Sequence, residues 1–209
     1  MTGMLIKNGT VVDGTGAPAF AADVRIADGT IVEVGPNLSP NGERVFDASG
    51  CHVTPGFIES HTHYDASMWW QPDLDPLPGY GATTMIMGNC GFSMAPLHPS
   101  QAAKEEVMGI FSFFEDIPLE PFKQFVPWDW HKWSEYRKSF ESRVKVPLNY
   151  ASFVGHIPLR IAAMGVEAWD RAATPDEVAV MAELLDDALS AGALGLSDNM
   201  HDHDGSNRP

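Results

Sequence analysis

The sequence is poor in cysteine and in basic residues. Its 209 residues include 2 cysteines, and 13 lysines and arginines stand against 28 aspartates and glutamates. So few cysteines do not form a disulfide framework, and Cys51 and Cys90 are expected to be free thiols or metal ligands. The net charge of -15 argues against a nucleic-acid backbone or an anionic membrane as partner.

The sequence also lacks long uninterrupted apolar runs, and its first residues do not look like a signal peptide. Residues 76–103 contain no charged side chain, but prolines and glycines interrupt this stretch, which excludes a membrane-spanning helix. Residues 1–7 lack the basic region, apolar run and cleavage site of a signal peptide. We therefore expect a cytoplasmic protein without a membrane partner.

Short strands and turn signals fill the first part of the chain. Asn8-Gly9 predicts a hairpin turn, and Asp28-Gly29 predicts another turn between two apolar runs. The pattern over residues 1–54 is typical of a small antiparallel β-unit. Such a unit is too small to be stable alone, so we expect it to pack on another part of the protein.

The pattern changes near residues 54–56, after which short apolar runs alternate with helical stretches. Strands separated by helices pair in parallel through right-handed crossovers. The predicted strands are residues 56–60, 82–87, 148–154 and 193–197. The clearest helix begins at Thr174, because Thr174 and Glu177 form a capping box around Pro175, and Gly192 suits its end.

Aromatic residues are concentrated between residues 110 and 140. Large aromatic side chains are buried wherever they lie, which favours a helical layer packed outside the parallel strands. The alternative for some of them is the wall of an apolar substrate pocket.

Two histidines follow the first strand of this second part, in the segment PGFIESHTH of residues 55–63. Alternate residues of a strand point to the same side, so His61 and His63 can reach one metal ion. Neutral imidazole suits zinc and its neighbours. Two surface histidines are the alternative, but the apolar strand and its Pro-Gly entry favour a metal site. Asp65 then either supports an imidazole or caps the next helix.

Cys90 follows the next strand, in the segment MGNCGFS of residues 87–93. The carboxyl ends of barrel strands carry the active site, and zinc accepts sulfur and nitrogen ligands together. Gly88 and Gly91 allow sharp turns on either side of the thiol. A buried structural cysteine is the alternative, and the residues alone leave both interpretations open.

Polar residues also follow the other two predicted strands. His156 and Arg160 are candidates to line the site, although Arg160 equally suits an ion pair with a surface acid. Residues 198–204 (DNMHDHD) are rich in potential metal ligands, but we interpret this tract as a solvated loop.

Together these segments resemble the amidohydrolase superfamily, in particular the branch of D-aminoacylases and N-acyl-D-amino-acid deacylases. The Asn-Cys-Gly-Phe-Ser element is specific to that branch. The matching segments are residues 5–16, 55–65, 81–84, 88–93, 95–96, 155–156, 159–160 and 192–197.

The resemblance implies an α/β fold. Residues 55–209 are expected to form an incomplete (β/α)8 TIM-type barrel of about four strand-helix units. Residues 1–54 are expected to supply a small N-terminal β-sandwich part.

The resemblance also implies a chemistry, the zinc-dependent hydrolysis of the N-acyl amide bond of N-acyl-D-amino acids. By position, His61 and His63 match the paired histidines of one metal position, and Cys90 matches the cysteine ligand of the tightly held Zn2+. The implied partner is a small N-acyl amino acid. A full barrel needs roughly 250 residues, so we expect the general base beyond Pro209 and an inactive isolated chain.

Two alternatives stay open. One is an amidohydrolase acting on cyclic amides, which often bridges two metals with a carboxylated lysine on the fourth strand. The last lysine here is Lys145, before the third predicted strand, which favours the cysteine-type branch. The other is a catalytically inactive fragment that packs against partner chains. The sequence does not indicate an oligomeric state.

Overall fold

The computed structural model describes residues 3–199 and divides the chain into two compact units, Met1–Gly56 and Phe57–Pro209. The first unit is a five-stranded sheet in the order β3-β2-β1-β4, with β5 also paired to β1. Its strands are β1 (Gly3–Val11), β2 (Phe20–Ala27), β3 (Thr30–Gly35), β4 (Arg44–Asp47) and β5 (His52–Val53).

This sheet is mixed, whereas the sequence pattern predicted an antiparallel unit. β2 runs antiparallel to β1 and β3, but β4 and β5 run parallel to β1. Asp28 and Gly29 form the predicted turn, both with positive φ. The turn predicted at Asn8-Gly9 is wrong, because both residues lie inside β1, where the pairing with β2 shifts register between Ile6 and Gly9.

The carboxylate of Asp23 explains this irregularity in β1. The side chain is buried, and it accepts hydrogen bonds from the backbone N–H of Asn8 at 2.7 Å and of Leu38 at 2.9 Å. The N–H of Asn8 is the main cause that holds the pKa of Asp23 below its ordinary value of 3.8, with Lys7 adding a favourable charge. The carboxylate of Asp23, on the neighbouring strand β2, thus replaces the backbone acceptor that Asn8 N–H loses where the pairing shifts register.

We expect Asp23→Asn to lower the free energy of unfolding by about 1–3 kcal/mol, because one buried N–H then faces an amide NH2 group. A depressed native pKa stabilises the fold above the unfolded pKa, and this contribution is lost as the pH falls through the native pKa. The difference from wild type should therefore be full at neutral pH and shrink at about pH 2.5.

Urea unfolding at the two pH values measures this effect. Asp28→Asn is the matched control, since it removes the same charge at an exposed turn where asparagine suits the positive φ. It should change stability by less than about 0.5 kcal/mol. Equal losses in the two variants would contradict the role of Asp23.

The second unit alternates short parallel strands with helices, so the chain has a mixed α/β fold. β6, β7 and β8 form one parallel sheet in that order, and β9 pairs in parallel with β10. These strands form no closed barrel within residues 3–199. The elements are β6 (Phe57–Glu59), α1 (Tyr64–Ser67), β7 (Ala82–Met87), α2 (Gln101–Glu115), α3 (Leu119–Phe125), α4 (Trp133–Arg143), β8 (Asn149–Ser152), β9 (Val154–Gly155), α5 (His156–Met164), α6 (Pro175–Ser190) and β10 (Leu196–Ser197).

The strand predictions succeed to different degrees. β7 has the predicted bounds, whereas residues 148–154 divide into β8, which pairs with β7, and β9, which pairs with β10. The apolar strand predicted at residues 56–60 forms as β6, but Phe57 and Ile58 are 61% and 64% exposed. The physical reason is that β6 is an edge strand, paired only with β7 in the described part of the chain.

The helical layer consists largely of the aromatic segment. Six of its rings belong to the core around β7, as the first interpretation expected, and come from α2, α3, α4 and the loop before α4: Phe111, Phe122, Trp130, Trp133, Tyr136 and Phe140. Phe114 differs from these six residues, because its side chain is exposed. Its ring stacks on that of Phe92 with centroids 5.8 Å apart.

α6 has the predicted ends. Thr174 and Glu177 form the capping box, with Glu177 N–H donating to Thr174 Oγ1 at 3.3 Å. Gly192 follows the helix with φ 102, as the C-terminal stop requires. On α6, Leu184 is buried, whereas Val178 is 53% exposed.

No helix in the described part of the chain has both the length and the apolar character needed to cross a membrane.

Candidate metal centre

The site lies where β6 and β7 end. These strands are parallel neighbours, so the loops that leave their carboxyl ends meet at one edge of the sheet. Thr62 fixes the first loop to the second strand, because its N–H and its hydroxyl both donate to the carbonyl of Ile86, at 3.1 and 2.9 Å. The amide of Asn89, in the second loop, donates to the same carbonyl at 3.0 Å.

These loops bring His61, His63 and Cys90 together. Each offers a metal-ligand atom, and the three atoms lie within 4.8 Å of one another. His61 Nε2 is 3.0 Å from Cys90 Sγ, and the two imidazole centroids are 5.4 Å apart. Strand alternation, the reason given for the pair, does not apply, because β6 ends at Glu59 and the histidines lie beyond it.

Cys90 lies in a tight turn. Gly88 and Gly91 have positive φ, as expected, and so does Cys90 itself, with φ 55. A left-handed conformation costs a residue with a β-carbon about 1 kcal/mol, so the surrounding contacts must impose it. Gly91 supplies two of them: its carbonyl accepts from Ile157 N–H at 2.8 Å, and its N–H donates to Ser197 Oγ at 3.2 Å.

The electrostatics of the group suit a divalent cation. Burial, together with the neighbouring His61, lowers the pKa of His63 to about 4, so His63 is neutral at neutral pH and its nitrogens are available as ligands. Burial raises the pKa of the Cys90 thiol, as does the negative charge of Glu115, and a bound cation favours the thiolate. His63 Nδ1 is buried, and no group among residues 3–199 forms a hydrogen bond with it.

Asp65 is close in sequence but is not the predicted helix cap. The cap position of α1 belongs to His63, and Asp65 lies in the first turn. Its carboxylate is buried without a hydrogen-bond partner among the described residues, and burial raises its pKa to about 8. Support of an imidazole by Asp65 stays a prediction, because neither oxygen donates to or accepts from one in this structure.

His156 and Arg160 lie outside the group of three ligands and line a cavity of about 400 Å3 beside α5. His156 Nδ1 is 3.2 Å from Asp198 Oδ1. Arg160 donates to the carbonyls of Ala168 and Arg171 at 2.7 and 3.0 Å, contacts that neither sequence interpretation anticipated. Of the acidic and histidine-rich tract at residues 198–204, residues 200–204 lie outside the described part of the chain.

Two residues beside the ligands were not predicted from the sequence to belong to the site. Phe92 stacks on the ring of His63 with centroids 4.5 Å apart, and its place two residues after Cys90 was a usable signal. Glu115 Oε1 is 3.7 Å from His63 Nε2. No sequence signal marks Glu115, which is one of several acids on an amphipathic helix.

Known proteins resemble this chain in sequence and in structure. A profile of the amidohydrolase family matches residues 44–205. The N-acyl-D-aspartate deacylase of Alcaligenes xylosoxydans xylosoxydans is 36% identical over 195 residues, which cover 92% of this chain and 36% of that protein. This chain therefore spans little more than a third of that relative's length.

Two solved structures are similar over nearly the whole chain. A D-aminoacylase, described for its binuclear metal center, is 34% identical with a TM-score of 0.78, covering 95% of this chain and 39% of that one. The N-acyl-D-glutamate deacylase of Bordetella bronchiseptica, complexed with zinc and a phosphonate inhibitor, is 32% identical with a TM-score of 0.77, covering 99% of this chain and 40% of that one.

Proposed function

This chain belongs to the amidohydrolase family, and from that premise we propose that it acts in the zinc-dependent hydrolysis of the N-acyl amide bond of N-acyl-D-amino acids. The products are a D-amino acid and a carboxylate. The proposal is carried by the group of His61, His63 and Cys90, whose ligand atoms lie within 4.8 Å. The names of the relatives, an N-acyl-D-aspartate deacylase and an N-acyl-D-glutamate deacylase, support this substrate class.

The donor set fits zinc, which takes imidazole nitrogen and thiolate sulfur in one coordination shell. Zinc held there would lower the pKa of a bound water and polarise the amide carbonyl. His61 and His63 supply imidazole nitrogens, and the turn at Cys90 places its thiol beside them. We assign the general base to a residue beyond Pro209, since the family resemblance places it late in the barrel.

The proposed architecture follows from the same family resemblance. We assign residues 55–209 to the N-terminal part of a TIM-type barrel and residues 1–54 to a β-sandwich portion. The parallel order β6-β7-β8, with donors at the carboxyl strand ends, supports the barrel assignment. The small-molecule substrate is part of this proposal, and the cytoplasmic location stays a prediction.

We expect a catalytically complete form of the protein, supplied with zinc, to release amino acid from N-acyl-D-amino acids about tenfold or more faster than from the L-enantiomers. The reason is the resemblance around Cys90. Chiral chromatography of the amino acid released from racemic N-acetyl substrates measures the ratio. Turnover of cyclic ureides or imides, with none of N-acyl amino acids, would support the cyclic-amide alternative instead. A zinc-loaded protein that hydrolyses neither class would favour the inactive alternative.

A further inference from the structure

Glu115 is a partly buried acidic residue that lies beside the candidate metal ligand His63. It is the last residue of α2, and Asp116, with φ 56, ends the helix directly after it. Glu115 Oε1 is 3.7 Å from His63 Nε2, and the side chain is 29% exposed. Within residues 3–199 no lysine or arginine forms an ion pair with this carboxylate. Partial burial costs this carboxylate hydration, and the nearby His61 offsets part of that cost.

The position of Glu115 is set by the core. Phe111, one turn earlier in α2, is fully buried, and its ring contacts Phe92 edge-on at 5.2 Å. Phe114 stacks on Phe92 at 5.8 Å, and Phe92 in turn stacks on His63 at 4.5 Å. The aromatic contacts therefore join the end of α2 to the imidazole of His63, which makes the approach of Glu115 a consequence of packing.

We propose that the Glu115 carboxylate is a fourth protein ligand of the metal centre formed by His61, His63 and Cys90. This assignment rests on the proposed function, because it requires that the centre holds zinc. Two light-atom ligands of one tetrahedral zinc ion, each bound at about 2.1 Å, lie roughly 3.4 Å apart. The distance of 3.7 Å between Glu115 Oε1 and His63 Nε2 is close to this value. Glu115 lies outside the group whose ligand atoms are all within 4.8 Å of one another, so its side chain must move toward the other ligands to bind the same metal ion.

Charge balance gives the same assignment. A Cys90 thiolate and a Glu115 carboxylate together offset the double positive charge of zinc. A Cys90 thiolate with two uncharged imidazole ligands would leave one positive charge over in a partly buried site. Zinc also expands to five ligands in catalytic sites, so a fourth protein ligand leaves room for a reacting water.

The competing explanation is that Glu115 only accepts a hydrogen bond from His63 Nε2–H. That arrangement orients the imidazole but places no oxygen on the metal. The two roles differ in a spectroscopic signature. Loss of a metal ligand changes the visible bands of bound Co2+. Loss of a residue that only hydrogen-bonds to a ligand leaves the set of metal-bound atoms unchanged.

The test titrates Zn2+ and Co2+ into the metal-free 209-residue chain. We expect Glu115→Gln to weaken zinc binding by more than about tenfold and to change the visible Co2+ spectrum. Asp116→Asn is the matched control, since it removes the neighbouring exposed carboxylate and asparagine tolerates the positive φ. It should keep the affinity and the spectrum of wild type. Circular dichroism verifies that each variant is folded.

Glu115→His is the second variant, and it decides the matter if the glutamine variant does not fold. Histidine supplies a nitrogen ligand in place of the carboxylate oxygen, so the Glu115→His variant should retain zinc and show an altered Co2+ spectrum. Unchanged affinity in Glu115→Gln would overturn the proposal. Weaker binding with an unchanged Co2+ spectrum would also overturn it, in favour of the hydrogen-bond role. Failure of the wild-type chain to bind zinc is a different result, which would instead remove the proposed function.

Discussion

Replacing Cys90 with alanine is expected to abolish tight zinc binding and, with it, hydrolysis. Cys90 is the only sulfur donor of the group, and its Sγ already lies 3.0 Å from His61 Nε2. In the metal-bound protein we expect a Zn–S distance of about 2.3 Å. Mutation of a residue that only hydrogen-bonds to a metal ligand typically weakens metal binding by up to roughly 100-fold, and loss of an anionic ligand should weaken it by more.

The measurement is zinc content after dialysis against a chelator, followed by an assay of deacylation in the catalytically complete form. Alanine also has a β-carbon, so the left-handed backbone at position 90 carries a similar cost in both proteins. Cys51→Ala is the matched control, because Cys51 is an exposed free thiol outside the group and its loss should leave zinc content unchanged. Stoichiometric zinc in the Cys90 variant would rule out the thiol as a ligand.

Replacing Gly155 with alanine is expected to cost about 3 kcal/mol of the free energy of unfolding and to weaken metal binding. A β-carbon at position 155 would lie 2.5 Å from both the carbonyl oxygen of Gly91 and the Cα of Phe92. These are backbone atoms, which cannot rotate away as a side chain can. Gly155 has φ -73, so the cost is one of contact and not of backbone conformation. The displaced segment directly follows Cys90.

Denaturant unfolding followed by circular dichroism measures this loss. Gly109→Ala provides a control of opposite sign, because a β-carbon at this helical position meets nothing within 4 Å. It should raise stability by about 0.5–1 kcal/mol. Gly155→Ala with wild-type stability and zinc affinity would contradict the close approach of the two loops.

Features that depend on neighbouring residues were readable from the sequence. The capping box of α6 involves Thr174 and Glu177, three positions apart, and the turn around Cys90 depends on its flanking glycines. Helical stretches between apolar runs likewise predicted the parallel pairing of β6 to β8. Cys90 was named because the carboxyl ends of barrel strands carry the active site. His61 and His63 were named for strand alternation, which does not apply because β6 ends at Glu59.

The remaining features were decided by contacts between residues far apart in the chain. Asn8-Gly9 is a typical turn signal, but the carboxylate of Asp23 satisfies the N–H of Asn8 and lets β1 continue past it. The proximity of Glu115 to His63 depends on the packing of Phe92 between α2 and the end of β6. Local sequence determined the turn at Asp28-Gly29 and the capping box of α6, because their energies involve adjacent groups. Only the tertiary structure decided which buried polar groups meet, because that depends on how the core fills.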